Sequence, residues 1–326
     1  MAMSLEDFLE EWNNSSDTVM VHTSGSTGAP KPMSVEKSRM LASARRTNDF
    51  LGLQPGDTAL LCMSLDFIAG KMMVVRALER HLRLITVEPS GHPLQTIVSE
   101  CSNISFAAMV PMQVYNSLQV LEERDCLMQI RHLIIGGGAI DDALADQLKD
   151  FPNAVWSTYG MTETLSHVAL RRLNGPDASL WYTPFPSISV SLSSDNCLII
   201  DAPEVCPEHL VTNDIAELSP DYRFRILGRK DNIICSGGLK IQAEELEREL
   251  RPYLNDPFII TKRSDEKFGE IVVFLTQGSV DEARKICERT LPKFHQPRAY
   301  LHVSHIPLTA TGKFARHEAE QLALKI

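Results

Sequence analysis

The sequence predicts an α/β fold: a large N-terminal domain on a parallel βαβ sheet with a small barrel-like piece, then a small mobile α+β domain. Three observations carry this. From residue 18 to about 160, short apolar runs alternate with helix-like stretches, the signature of βαβ units. Residues 186 to 227 change to short alternating runs broken by Pro203 and Pro207. Near "LGRKDN", residues 227 to 232, a boundary opens a second, compact pattern.

In order, "TVMVHT", "TALLCM", "LRLITV", "FAAMV", "HLIIGG" and "AVWSTY" read as buried strands. Residues 36–51, 67–80, 94–101, 112–124 and 141–150 between them read as helices. "SISVSL" and "CLIID" then suggest an antiparallel or barrel-like piece. Past residue 232 come a strand, the amphipathic helix "AEELERELRPYL", strands "FIIT" and "EIVVFLT", a helix near 280–290 and strand "AYLHV". The chain closes on a basic turn, "TATGKFARHE".

Composition narrows the function. With 326 residues, 44% apolar and 23% charged, the chain is an ordinary soluble protein of about two domains. A net charge of -10 argues against a nucleic-acid partner, which requires a clustered basic surface, but not against a nucleotide substrate. Cys62, Cys101, Cys126, Cys197, Cys206, Cys235 and Cys287 show no paired spacing and read as reduced thiols of a cytoplasmic protein. "MAMSLEDFLEEW" lacks the regions of a signal peptide. The most apolar window, 59–78, is broken by Asp66, Lys71 and Arg76, so no membrane insertion is expected.

Five loops could carry chemistry. In "VHTSGSTGAPKP", Gly25 and Gly28 let the backbone approach a ligand, while Thr23, Ser24, Ser26, Thr27 and Lys31 can form an anion nest. It is not a Walker A loop, because Pro30 stands where that pattern needs its second glycine. "STYGMTET", residues 157–164, offers Tyr159 for a base, Thr162 for phosphate and Glu163 as a hard ligand for Mg²⁺. "VTNDIAEL" puts Asp214 where it can accept from a ribose diol. "LGRKDNIICSGGLKIQAEELE" carries Arg229, Asp231, Gly237 and Gly238, and "PLTATGKFAR" carries Lys313. Each alone has a plain structural explanation: a turn, a strand end or a solvated lysine.

Together, in this order, they resemble the adenylate-forming (ANL) superfamily of acyl-CoA synthetases and adenylation domains, from about residue 18 to 317. The resemblance implies an ATP-dependent acid–CoA ligase. A carboxylate attacks the α-phosphate of ATP to release pyrophosphate, then the thiol of coenzyme A displaces AMP. By motif match, residues Thr23, Ser24, Gly25, Ser26, Thr27, Gly28 and Lys31 embrace the β- and γ-phosphates. Gly136, Gly137, Gly138 and Ala139 line the adenine and acyl pocket. Ser157, Thr158, Tyr159 and Gly160 flank adenine, with Tyr159 stacking on it, Thr162 on the α-phosphate and Glu163 on Mg²⁺. Asp214 and Arg229 hold the ribose, and Lys313 is the catalytic lysine.

The implied domains are 1–228 for ATP and acid, 229–231 as a hinge, and 232–326 as a lid bearing Lys313. Rotation about Asp231 would withdraw Lys313 and bring Ser236, Gly237 and Gly238 toward coenzyme A. Three departures stand out. Phe67, in "CMSLDFIAG", occupies the place of a customary histidine, and "TND" replaces Thr-Gly-Asp. The subdomain that normally precedes the phosphate loop has no counterpart here.

Within the superfamily, "YGMTETLSH" and "SGGLKI" are most similar to the o-succinylbenzoate-CoA ligases of menaquinone biosynthesis. Such an acid carries a second carboxylate, for which Lys71 is a candidate partner or else a helix-surface lysine. Ser166 and His167 are expected to face the acyl group. Loading of another acid, or of a carrier-protein thiol, stays open, as do a nucleotide-binding relic without activity and a homodimer covering the sheet.

Overall fold

Ser4 opens the first helix of the computed structural model. Its hydroxyl accepts the Asp7 N–H while the Asp7 carboxylate accepts the Ser4 N–H, and this capping box starts α1 (Leu5–Asn13). The structure describes residues 2–22, 32–138, 140, 142–309 and 314–325. They divide into two units: residues 1–190, 200–210 and 218–225 in the first, and 191–199, 211–217 and 226–326 in the second.

In the first unit, α1 leads to β1 (Thr18–His22), β2 (Pro32–Glu36), α2 (Lys37–Phe50), β3 (Thr58–Leu61), α3 (Ile68–Arg80) and β4 (Arg83–Thr86). Then follow β5 (Phe106–Met109), α4 (Pro111–Leu118), α5 (Leu121–Gln129), β6 (His132–Ile135), α6 (Asp142–Leu148), β7 (Ala154–Gly160), β8 (His167–Arg172) and β9 (Thr183–Pro184). A seven-stranded sheet runs β4-β3-β5-β6-β7-β8-β9. Its first five strands are parallel and the last two pairings antiparallel. Strands such as "TALL" and "FAAM" are buried throughout, as expected for a sheet covered on both faces. Leu60, Ala107, Leu133 and Ile135 pack against Val114, Leu118, Leu127, Leu144 and Leu148 of the helices. Each fully buried leucine contributes about 1.5–3 kcal/mol.

Three elements differ from expectation. "TVMVHT" joins no parallel sheet; β1 pairs antiparallel with β2 in a separate ribbon, His22 opposite Pro32. The expected helix 112–124 is two helices, because Val120 is extended and Glu123 folds back to accept from Ser117 Oγ at 2.7 Å. Residues 94–101 give only a 3₁₀ turn, at Val98–Asn103. That turn packs on α5 and brings Cys101 to Cys126, with Cα atoms 5.1 Å apart and the sulfurs joined as a disulfide. The expectation of seven reduced thiols is corrected for this pair. No sequence spacing announced it, since only packing brings residues 25 apart together.

Strands β10 (Ser189–Leu192), β11 (Cys197–Ala202), β12 (Cys206–Leu218) and β13 (Phe224–Arg229) form a four-stranded sheet in that order. The second unit continues with β14 (Ile233–Ser236), β15 (Leu239–Gln242), α7 (Ala243–Leu250), β16 (Phe258–Asp265), β17 (Gly269–Thr276), α8 (Val280–Thr290), β18 (Ala299–His302) and α9 (Arg316–Ala323). Its sheet runs β15-β14-β17-β16, with β18 parallel to β17. Alternation splits "FII" across two cores. Phe258 and Ile260 pack with Leu246 and Ile286, whereas Ile259 packs with Ala319 and Ala323. Among the described residues, no helix is long and apolar enough to cross a membrane.

Candidate active site

The carboxyl ends of parallel strands are where open α/β sheets bind ligands. Here the segments 62–67, 110–111, 136–138 and 157–160 lie at the ends of β3, β5, β6 and β7. Ile135 stands opposite Ser157, which sets the glycines 136–138 beside the "STYG" segment. A Cβ on Gly136 would come within 2.4 Å of Thr158 Oγ1. Gly137 has φ +81°, a conformation that favours glycine, and a Cβ there would lie 3.4 Å from Val110 Cγ1.

The turn after β7 is built tightly. A register shift falls between Tyr159 and Gly160, and a Cβ on Gly160 would lie 2.3 Å from Ser166 O and 2.4 Å from His167 Cα. Thr164, fully buried, accepts from Met161 N at 3.0 Å and donates to Ser166 O at 2.8 Å. Leu165, at φ 66°, returns its N–H to Thr162 O. The turn thereby holds Thr162 inward and leaves Glu163 exposed. Tyr159 rests edge-on against Phe224, centroids 5.0 Å apart, and tilted against Tyr182 at 5.8 Å. Ser157 Oγ is engaged by the Tyr182 hydroxyl at 2.8 Å.

Phe67 is the exposed, extended residue before α3, whose first turn presses so closely on residues 63–64 that a Cβ on Gly70 would meet Ser64 O at 2.3 Å. Lys71 is not exposed. It is 2% exposed, and its ammonium donates to Met20 O at 2.6 Å and pairs with Glu11 Oε2 at 3.2 Å. His167 turns toward the core: Nε2 meets Thr47 Oγ1 at 3.0 Å and Nδ1 meets Ser166 Oγ at 3.3 Å. Burial, then the charge of Arg76, holds its pKa well below the usual histidine value, so it is neutral.

Arg76 was not singled out from the sequence, beyond interrupting an apolar window. It is 2% exposed, and Nη2 donates to Ser166 Oγ at 2.5 Å. Its buried Nε has no hydrogen-bond partner, and no carboxylate pairs with it among the described residues. Burial pulls its pKa down to about 9, so it remains a cation at neutral pH. An arginine within a helix whose positions 70–77 are all buried was the available signal.

In the second unit, Arg229 bridges two carboxylates: Nη1 to Asp214 at 3.1 Å and Nη2 to Asp231 at 3.2 Å. Asp214 N–H is fixed by Thr212 Oγ1, which itself donates to Leu198 O. Asp231 lies in the one-turn 3₁₀ helix Lys230–Asn232 and also accepts from Asn213. Gly237 and Gly238, both at positive φ, close the two-residue hairpin between β14 and β15, with Ser236 opposite Leu239. Thr23, Ser24, Gly25, Ser26, Thr27, Gly28, Lys31, Ala139 and Lys313 lie outside the described residues.

The 2-succinylbenzoate–CoA ligase of Listeria innocua is 24% identical, over 97% of this chain and 72% of its own. The solved "acyl-CoA synthetase (AMP-forming)/AMP-acid ligase II-like protein" of Dyadobacter fermentans is 32% identical, with a TM-score of 0.66 over 98% of this chain and 93% of that one. The O-succinylbenzoate coenzyme A synthetase of Bacillus subtilis, solved with ATP and magnesium, shares the fold at 20% identity and TM-score 0.75, over 92% of this chain and 69% of that one. The "AMP-binding enzyme" family matches residues 5–210, more than half of the sequence, and the chain belongs to that family.

Proposed function

We propose that this protein is an AMP-forming acid–CoA ligase whose acid is o-succinylbenzoate or a close aryl dicarboxylate. One carboxylate of the acid attacks the α-phosphorus of ATP, the bond to the bridging oxygen breaks, and pyrophosphate leaves. The coenzyme A thiol, losing its proton, then attacks the acyl carbon and AMP leaves with the electron pair. The observation that carries the choice of acid is Arg76: a buried cation with one hydroxyl partner, an orphaned Nε and, among the described residues, no paired carboxylate. A second substrate carboxylate supplies that missing charge, and in a low-dielectric site such a pair is strong.

The residues fit the nucleotide and the metal. Gly136–Gly138 and the tight Tyr159–Ser166 turn bring close-packed backbone and the Tyr159 ring to the place proposed for adenine. Glu163, exposed on that turn, is the oxygen ligand for Mg²⁺. When bound, Mg²⁺ neutralises charge on the phosphates. Thr162 donates to the α-phosphate, Asp214 accepts from the ribose with Arg229 holding it in place, and Lys313 binds the α-phosphate and the attacking carboxylate. These groups offset the repulsion of two anions brought together. Ser236, Gly237 and Gly238 serve the coenzyme A step.

A reaction that draws on ATP and coenzyme A supports the cytoplasm as its place, and the Cys101–Cys126 pair, at most 1% exposed, is shielded from reductants there. The test is thioester formation with ATP, Mg²⁺ and coenzyme A across benzoates and succinyl-aryl acids. The reading expects the highest kcat/KM with o-succinylbenzoate. A higher value for a simple benzoate would overturn the assignment.

A further inference from the structure

Lys71 is a cation buried in a helix face, and its partners lie on two other elements. Its Nζ donates to Met20 O at 2.6 Å and pairs with Glu11 Oε2 at 3.2 Å, 5.4 Å from the Phe8 ring centroid. The second oxygen of Glu11 accepts the N–H of the same Met20 at 2.9 Å. Both backbone groups of one β1 residue are therefore satisfied by one ion pair, on the edge of the ribbon that β2 does not use. Val19 and Val21, on either side, are buried, which fixes the orientation of Met20.

The pair joins three elements. Glu11 belongs to α1, whose other end is tied by Met3 N to Asp66 Oδ1 at 2.9 Å, one residue before Phe67. Met20 lies two residues before the base of the β1–β2 ribbon, where His22 faces Pro32 and residues 23–31 join the strands. Lys71 itself sits one turn after Phe67 and before Arg76 on α3.

We propose that Lys71 and Glu11 form a clamp that sets the β1–β2 ribbon, whose two strands flank residues 23–31 in sequence, against helix α3. This rests on the reading of residues 23–31 as the ATP phosphate loop. Lys71 is then a positioning residue for ATP, acting through Met20, and takes no part in recognising the acid. Its charge is consumed within the protein, whereas that of Arg76 is not. In a reaction between two bound anions, a loop displaced by an ångström costs on the order of a hundredfold in rate.

The test compares Lys71→Met, Glu11→Gln and the double variant with the unaltered protein. The readouts are the Kd for ATP·Mg²⁺ by calorimetry, KM for the acid by pyrophosphate release, and thioester formation from supplied acyl-AMP. Each single variant is expected to weaken ATP·Mg²⁺ about tenfold or more and to slow pyrophosphate release on the order of tenfold to a hundredfold. KM for the acid should stay within about twofold and the acyl-AMP step should be unchanged. The double variant should be little worse than either single one, because one interaction is lost. A raised KM for the acid with unchanged ATP affinity would overturn the clamp, as would additive losses or equal losses in both half-reactions. If Lys71→Met does not fold, Glu11→Gln, whose side chain is partly exposed, supports or overturns the clamp by the same readouts. Absence of acid turnover in the unaltered protein would refute the ligase reading alone, because the ATP affinities still decide the clamp.

Discussion

Replacing Arg76 by Met should separate activity from stability. The guanidinium is buried, and the same desolvation that pulls its pKa down to about 9 costs on the order of several kcal/mol. Methionine fills similar volume without that charge, at the loss of one hydrogen bond to Ser166 worth about 1 kcal/mol. The variant should therefore melt at the same temperature or higher. Substrate binding is the reverse case. Deleting one member of a desolvated charge pair costs about 2–5 kcal/mol, or roughly 30- to several-thousand-fold in kcat/KM. The assay is steady-state thioester formation with o-succinylbenzoate and with a monocarboxylic aryl acid, beside a thermal melt. The dicarboxylate should suffer the full loss and the monocarboxylate less than about tenfold. A lower melting temperature with equal loss for both acids would refute the argument and leave Arg76 a structural residue.

Other outcomes follow from the same geometry. Lys313→Ala should abolish most pyrophosphate release yet spare thioester formation from supplied acyl-AMP; equal loss of both would contradict its assignment to the first step. Gly160→Ala forces a Cβ into the backbone of Ser166 and His167 and should cost at least about 2 kcal/mol in urea unfolding. A cost below about 0.5 kcal/mol would show that this close approach does not matter. His167 is depressed in the folded state by burial and then by Arg76, and His132 falls to about 4 chiefly through burial. Both bind protons more readily when unfolded, so stability is full above about pH 6.5 and falls below it, by up to about 1.4 kcal/mol per pH unit for the buried His167 and by less for the partly exposed His132. Urea melts between pH 7.5 and 5 measure this, and His167→Gln should make the slope shallower.

Much of the fold was legible because its signals are local. Apolar runs such as "FAAM" and "HLII" could be read as buried strands, and both are strands of the large sheet. What escaped depends on distant partners. Glu123 draws α4 and α5 apart by reaching back to Ser117 and to His92, and nothing in residues 112–124 encodes His92. Lys71 read as acid partner or surface lysine because its two partners lie 51 and 60 residues away, in elements whose placement no periodicity reports. Arg76 was passed over for the same reason. A buried charge acquires meaning only when its neighbours are known, and here the informative neighbour is the carboxylate that the described protein does not provide.

The central claim is that this chain activates a carboxylic acid as its adenylate. Acid-dependent exchange of labelled pyrophosphate into ATP, in the presence of Mg²⁺ and without coenzyme A, tests it most directly. The account expects exchange with o-succinylbenzoate, abolished by omitting the acid. No exchange with any acid of the panel, from protein that binds ATP·Mg²⁺, would contradict it.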